Sequence, residues 1–191
     1  GLIKLTGKPL IIHVLDKISG IVNEVVVVSS EAQKRAFENL LKQKARVIVD
    51  RNKMQSPLVG ALTGFENAQN EYSLLLSCDT PFISAQIASL LLELCVNRSA
   101  AIPRWPNGFI EPLQAAYHTE SAEIASRKAL ENGKMDLQSM IALLRGVRYI
   151  STMVLQQIDP KLATFFNINT LNDLREAESM LKSTRKTLNC F

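Results

Sequence analysis

Cysteine is scarce. Cys78, Cys95 and Cys190 are the three in a chain of 191 residues, far apart and without a C-x-x-C pair. That argues against a disulfide framework or a cysteine zinc cluster, and the expected setting is reduced and cytoplasmic. Histidine is scarcer still: His13 falls in a predicted helix and His118 at a predicted strand end, with no metal-ligand spacing between them. No apolar run approaches the ~18–20 residues that span a bilayer. The opening Gly-Leu-Ile-Lys-Leu lacks the basic and long apolar regions of a signal peptide. Gly-x-Gly-x-x-Gly, Walker and Gly-x-Ser-x-Gly motifs are absent, as are internal repeats, low-complexity tracts and Pro/Ser-rich linkers. Nor is there a large excess of one charge. The net charge is +4, with 22 basic and 18 acidic residues. The basic residues are interleaved with acidic ones except at Ser183–Lys186, so a mildly cationic surface is expected rather than a nucleic-acid-binding one.

What the chain does have is alternation. Glu24–Val28, Arg46–Val49 and Tyr72–Leu76 are short, β-branched or leucine-rich and nearly continuous, as suits strands covered on both faces. Between them, Pro9–Ser19, Glu31–Lys42 and Leu58–Gln69 carry apolar residues at helical spacing. In Glu31–Lys42 the predicted stripe is Ala32, Ala36, Phe37 and Leu40. Strand–helix repetition of this kind predicts a doubly wound α/β domain, Rossmann-like, with a mostly parallel sheet and helices on both faces. The second half is less regular and more antiparallel. Helices are expected at Ser84–Asn97, Glu120–Asn132, Asp136–Leu144 and Leu171–Lys182, the last capped by Thr170 and Asp173. Strands are expected at Ala100–Pro103, Glu111–Tyr117, Val147–Ser151 and Phe165–Asn167. The whole reads as a single domain, 1–191, with halves 1–97 and 98–183 and a tail 184–191.

Several residues stand where chemistry is possible. Asp79, in Ser77-Cys78-Asp79-Thr80-Pro81-Phe82, directly follows a predicted strand, and open α/β sheets bind ligands beyond their strands' carboxyl ends. A lone carboxylate there suits Mg²⁺, which takes few protein ligands, or simply caps a turn. Asn167 and Asn169 stand two apart, so both amides leave one face of an extended chain. They suit a cation or phosphate site, or an Asx-turn ahead of the Thr170 cap. Ser56-Pro57-Leu58-Val59-Gly60 opens a helix whose free N–H groups can receive an anion, with Gly60 allowing close approach. Asp50 follows a strand and can meet a base or ribose, or serve a turn. Arg104 with Glu111-Pro112-Leu113 can form a wall against an anionic, ring-bearing substrate, or a plain hairpin. Cys78 reads as a small packing residue.

The order of these motifs resembles that of the molybdenum cofactor guanylyltransferases, the molybdopterin-guanine dinucleotide biosynthesis protein A family. The likeness runs from Leu5-x-Gly7-Lys8-Pro9-Leu10 through Asp50, Pro57-Leu58-Val59-Gly60, Cys78-Asp79-Thr80-Pro81-Phe82 and Glu111-Pro112-Leu113 with Tyr117. It ends at Phe166-Asn167-Ile168-Asn169-Thr170 with Asp173-Leu174. Asp-x-Pro is shared by many nucleotidyltransferases, whereas Asn-x-Asn-Thr is more particular to this family. The family opens with a strand and a loop of the form L-A-G-G-x-x-x-R-x-G-x-D-K, which these 191 residues do not contain. Ser56 stands where the family usually has Gly, and Ser29-Ser30 lack an asparagine often found there.

The resemblance implies a nucleotide-diphospho-sugar transferase-like fold and transfer of GMP from GTP to molybdopterin, with pyrophosphate released. It implies Mg²⁺ held by Asp79, with Asn167 and Asn169 positioning the acceptor. Asp50, Pro57, Leu58 and Gly60 would flank the nucleotide, while Arg104, Glu111 and Pro112 face the pterin. Residues 1–97 would then bind nucleotide and 98–183 the acceptor, with cofactor-biosynthesis proteins or molybdoenzymes as possible contacts. The alternatives are a cytidylyltransferase for the same pterin, a guanylyltransferase for another phosphorylated acceptor, or a binding module without turnover.

Overall fold

The computed structural model describes residues 1–50 and 56–188, the last six as helix backbone. Residues 189–191, and with them Cys190, lie outside the described residues, as do the side chains of the basic stretch from Ser183.

The chain opens with a small antiparallel pair, β1 (Lys4–Leu5) and β2 (Lys8–Pro9), and enters α1 (Leu10–Ile18). Pro9, expected in the first helical turn, stands one residue earlier as the N-cap, because it is paired with Lys4. β3 (Val26–Ser29), α2 (Glu31–Leu41) and β4 (Arg46–Val49) form a parallel βαβ unit. α3 (Pro57–Asn67), β5 (Tyr72–Leu76), α4 (Ala85–Cys95), β6 (Ala100–Arg104) and β7 (Gln114–His118) follow. Then come α5 (Thr119–Glu131), α6 (Leu137–Leu143), β8 (Val147–Ser151), α7 (Thr152–Leu155), a 3₁₀ turn (Ala163–Phe165) and α8 (Leu171–Leu188).

β5, β7, β6 and β8 form one sheet in that order, with β7 antiparallel to both neighbours and β8 parallel to β6. The architecture is α/β with helices on both faces. On one face α1 and α2 cover Val27, Val47, Leu74 and Leu76, and α4 covers Ala101, Ala116 and Ile150. On the other, α3, α5 and α6 bury Ala100, Ile102, Ala115 and Tyr117. β3 and β5 face one another across an apolar cleft of about 870 Å³, with α1 on one side and α3 on the other. Among the described residues β3 pairs with β4 alone and β5 with β7 alone, so the sheet is interrupted at the cleft.

Three expectations need correction. The α/β architecture stands, but the four-stranded sheet is mixed rather than mostly parallel, because β7 returns as a hairpin from β6 and runs antiparallel to both neighbours. In α2 the buried residues are Phe37 and Leu41, one turn apart, while Ala32 and Ala36 are exposed. An outer helix touching the sheet along a narrow line buries its large side chains and leaves the alanines outside. Nor does Phe165–Asn167 form an edge strand. Phe165 ends the 3₁₀ turn, and the next residues drop against the body as Ile168 becomes 4% exposed among Leu5, Leu10 and Ala177. Burying an isoleucine contributes about 1.5–3 kcal/mol, against roughly 0.5–1.5 kcal/mol for a ladder hydrogen bond. Packing wins.

Candidate active site

β5 delivers the chain to a turn fixed from three sides. The Ser77 amide donates to the Leu113 carbonyl at 3.1 Å. The Ser77 hydroxyl donates to Asp79 Oδ1, and the buried Thr80 hydroxyl donates to the Ser77 carbonyl at 3.0 Å. Asp79 is thereby held half-buried at the strand's carboxyl end. The Ile168 amide donates to the Asp79 carbonyl at 2.9 Å, which brings the C-terminal asparagines to the same place.

Asn167 and Asn169 are exposed on either side of the buried Ile168. Among the described residues neither side-chain amide has a hydrogen-bond partner. The backbone amides of Asn169 and Thr170 donate to Asp173 Oδ2 at 2.9 and 2.8 Å, and the Asp173 amide donates back to the Thr170 hydroxyl at 3.1 Å. This reciprocal cap, predicted from Thr170 and Asp173, starts α8. Those donors hold the Asp173 carboxyl below its usual range.

On the opposite wall of the cleft the Asp50 amide donates to the Ser29 carbonyl at 3.0 Å. The Ser56 hydroxyl accepts from the Val59 amide at 3.2 Å, and Pro57 occupies the first turn of α3. Asp50, Pro57 and Gly60 line the cleft together with Ser77, Cys78 and Leu113. A side-chain carbon at Gly60 would meet nothing within 4 Å, so the space beside its backbone is open. Leu58 is instead fully buried, in the cluster with Phe65 and Tyr117. Buried Ser29 Oγ and Gln114 Oε1 lack hydrogen-bond partners among the described residues, and Ser29 lines the cleft.

The hairpin after β6 supplies the remaining predicted residues. Glu111 Oε1 accepts from the Trp105 indole N–H at 2.7 Å, and burial raises its pKa above the usual carboxylate range. The Pro112 carbonyl accepts from the Tyr117 hydroxyl at 2.8 Å, and burial raises that phenol above its ordinary value. Arg104 stands apart, with its guanidinium 5.6 Å above the Tyr149 ring on β8. Cys95 is buried and its thiol is pushed up to about 11, so it is a packing residue. Among the described residues there is no group of three or more His, Cys, Asp or Glu side chains able to hold a metal ion, and no helix is long and apolar enough to cross a membrane. Sequence reasoning missed Ser77 and Trp105 as supports. The serine two residues before Asp79 was a legible signal, but nothing local marks Trp105 as the partner of Glu111.

Residues 1–152 match the family described as the MobA-like NTP transferase domain. The chain belongs to that family. A relative from Methanosarcina mazei, named probable molybdenum cofactor guanylyltransferase, is 31% identical over 179 residues, which is 91% of this chain and 79% of that protein. Among solved structures, molybdopterin-guanine dinucleotide biosynthesis protein A from Archaeoglobus fulgidus superposes with a TM-score of 0.79 at 27% identity. It covers 95% of this chain and 90% of its own. The fold is also that of 2-C-methyl-D-erythritol 4-phosphate cytidylyltransferase from Thermus thermophilus, with a TM-score of 0.72 at 18% identity over 95% of this chain and 93% of that one. The nucleotide-diphospho-sugar transferase-like architecture read from the resemblance therefore stands.

Proposed function

We propose that the protein transfers GMP from GTP to molybdopterin. An oxygen of the acceptor's terminal phosphate bonds to the α-phosphorus as the bond to the β-phosphate oxygen breaks, and pyrophosphate leaves. The observation that carries this reading is the hydrogen bond from Ile168 to Asp79. This backbone bond brings the residue bearing the strand-end carboxylate beside two asparagines whose side-chain amides have no partner among the described residues, an arrangement suited to bringing two phosphorylated substrates together.

Such a reaction asks the protein for alignment and charge compensation rather than covalent chemistry. The donor set fits Mg²⁺ and not a structural zinc. It offers one half-buried carboxylate, with Oδ1 receiving the Ser77 hydroxyl, and no cluster of acidic, His or Cys ligands among the described residues. When bound, Mg²⁺ supplies charge neutralisation and a template for the phosphates. Asp79 is the residue that would hold it. Asn167 and Asn169 orient the acceptor phosphate through neutral amides, so no further negative charge meets a polyanion. Asp50, Pro57 and Gly60 receive the base and ribose along their wall of the cleft, and Leu58 serves by packing beneath them. Arg104, Glu111 and Pro112 form the acceptor side, with residues 98–183 as the acceptor-binding half and 1–97 as the nucleotide half. The setting that suits this reaction is the cytoplasm, where the protein would hand its product to molybdoenzymes or their assembly partners.

The test is the melting temperature with GTP, CTP, ATP and UTP, each with and without Mg²⁺. A ligand at 100 times its dissociation constant stabilises by about 2.7 kcal/mol. A Mg²⁺-dependent rise with GTP alone is expected. A rise with CTP instead would make the protein a cytidylyltransferase, and no rise with any nucleotide would contradict the reading.

A further inference from the structure

Trp105 is the single tryptophan of the chain, and it touches both banks of the candidate site without belonging to either. It lies in the turn after β6, where its amide donates to the Phe109 carbonyl at 2.8 Å and Gly108 takes a left-handed φ of +88°. Its indole N–H donates to Glu111. From Glu111 the backbone runs through Leu113, whose carbonyl accepts from the Ser77 amide in the Asp79 turn. The other side of the indole packs edge-on against Phe165, with ring centroids 5.7 Å apart and planes at 63°. Phe165 stands two residues before Asn167, and Ile168 beyond it donates to the Asp79 carbonyl.

We propose that Trp105 is a positioning residue that sets the spacing between the Asp79 turn and the Asn167–Asn169 strip. The two banks meet directly at the Ile168–Asp79 backbone bond, at the edge-on contact of Phe82 with Phe166 and, just beyond, at the bond from the Ser84 amide to the Thr164 hydroxyl. The indole adds a lateral tie from the hairpin, donating its N–H to Glu111 and packing edge-on against Phe165. The Glu111–indole bond joins an acceptor oxygen to a donor in a half-buried place, where losing either partner leaves the other unpaired.

The kinetic consequence rests on the transfer reaction proposed above, whereas the structural one does not. Residue-resolved amide exchange by NMR on the ligand-free chain reads the structural consequence. W105A should speed exchange at the Ile168 amide about tenfold or more, leaving β4 amides unchanged, because local opening is controlled by local packing. W105F, which keeps a ring against Phe165 and loses the N–H, should have an intermediate effect. E111Q, which keeps an acceptor for the indole, should leave Ile168 exchange as in the parent. In guanylyl transfer W105F should lower kcat by roughly tenfold, since small misplacements of aligned reactants are costly. Its KM for GTP should hold, because Asp50, Pro57 and Gly60 lie on the opposite wall. Unchanged Ile168 exchange in W105A overturns the proposal. If W105A opens everywhere, W105F decides: parent-like exchange at Ile168, or a rise in β4 equal to that at Ile168, overturns it too. Absence of transfer by the parent chain would defeat the proposed reaction and leave the exchange result to decide the role of Trp105.

Discussion

A strand-end carboxylate acts on a phosphate only if it is held still, and at Asp79 two of the holding groups are local and one comes from far along the chain. Ser77 occupies Oδ1, Thr80 closes the turn on the Ser77 carbonyl, and Ile168 draws in the Asp79 carbonyl from across the site. Replacing Asp79 by Asn keeps the volume and the turn while removing the charge. D79N should therefore retain the parent melting temperature yet lose transfer by roughly 10²–10³-fold, the scale of deleting one electrostatic stabiliser. Parallel thermal melts and pyrophosphate-release rates check this, and a variant with near-normal turnover would remove Asp79 from the chemistry. Asp79 and the asparagines were visible in the sequence because strand-end position and two-residue spacing are local properties. Their meeting through Ile168 was not, since residues 79 and 168 are joined only by tertiary packing.

Among the elements, α8 and β7 carry two hydrogen-bonded supports beside the candidate site. Asp173 caps α8 by accepting from two amides, one of them that of Asn169. Its carboxyl pKa is lowered in the fold, so its stabilising effect is present above the ordinary aspartate value of about 3.9 and fades as pH falls through the lower folded value. D173N should melt lower at neutral pH and lose that acid-side dependence, as melting curves between pH 2 and 7 (a range of roughly that width suffices) would reveal. Equal melting of variant and parent across the range would contradict the cap. On β7, Tyr117 is fully buried and its hydroxyl serves the Pro112 carbonyl. Y117F leaves that carbonyl without its partner and should cost about 1–2 kcal/mol, measurable as a shift of the urea midpoint. The helices and the three early strands were legible because their periodicities are strong and continuous. The strip after Phe165 was misread as a strand, since a short apolar run carries no sign of whether a sheet edge or a hydrophobic pocket will take it. The α2 stripe failed for a similar reason: spacing names a face, but only the neighbouring strand decides how wide that face is.

At the level of the whole molecule, the doubly wound layout turns the ends of β3, β4 and β5 towards one cleft and sets the β6–β7 hairpin and the residues before α8 around its β5 side. In the proposed reaction the nucleotide and the acceptor approach from opposite sides and meet at Asp79. What the sequence did show of the topology is an alternating first half and a more antiparallel second half, as β7 runs antiparallel to both its neighbours. The central claim is transfer of a guanylyl group between the two walls. The decisive measurement is incubation of the protein with molybdopterin, Mg²⁺ and GTP labelled at the α-phosphate, followed by separation of the pterin product. The account predicts label joined to the pterin in step with pyrophosphate release, with GTP preferred over CTP and with loss of the product in D79N. Labelled GTP that stays intact, or transfer that survives D79N undiminished, would contradict it.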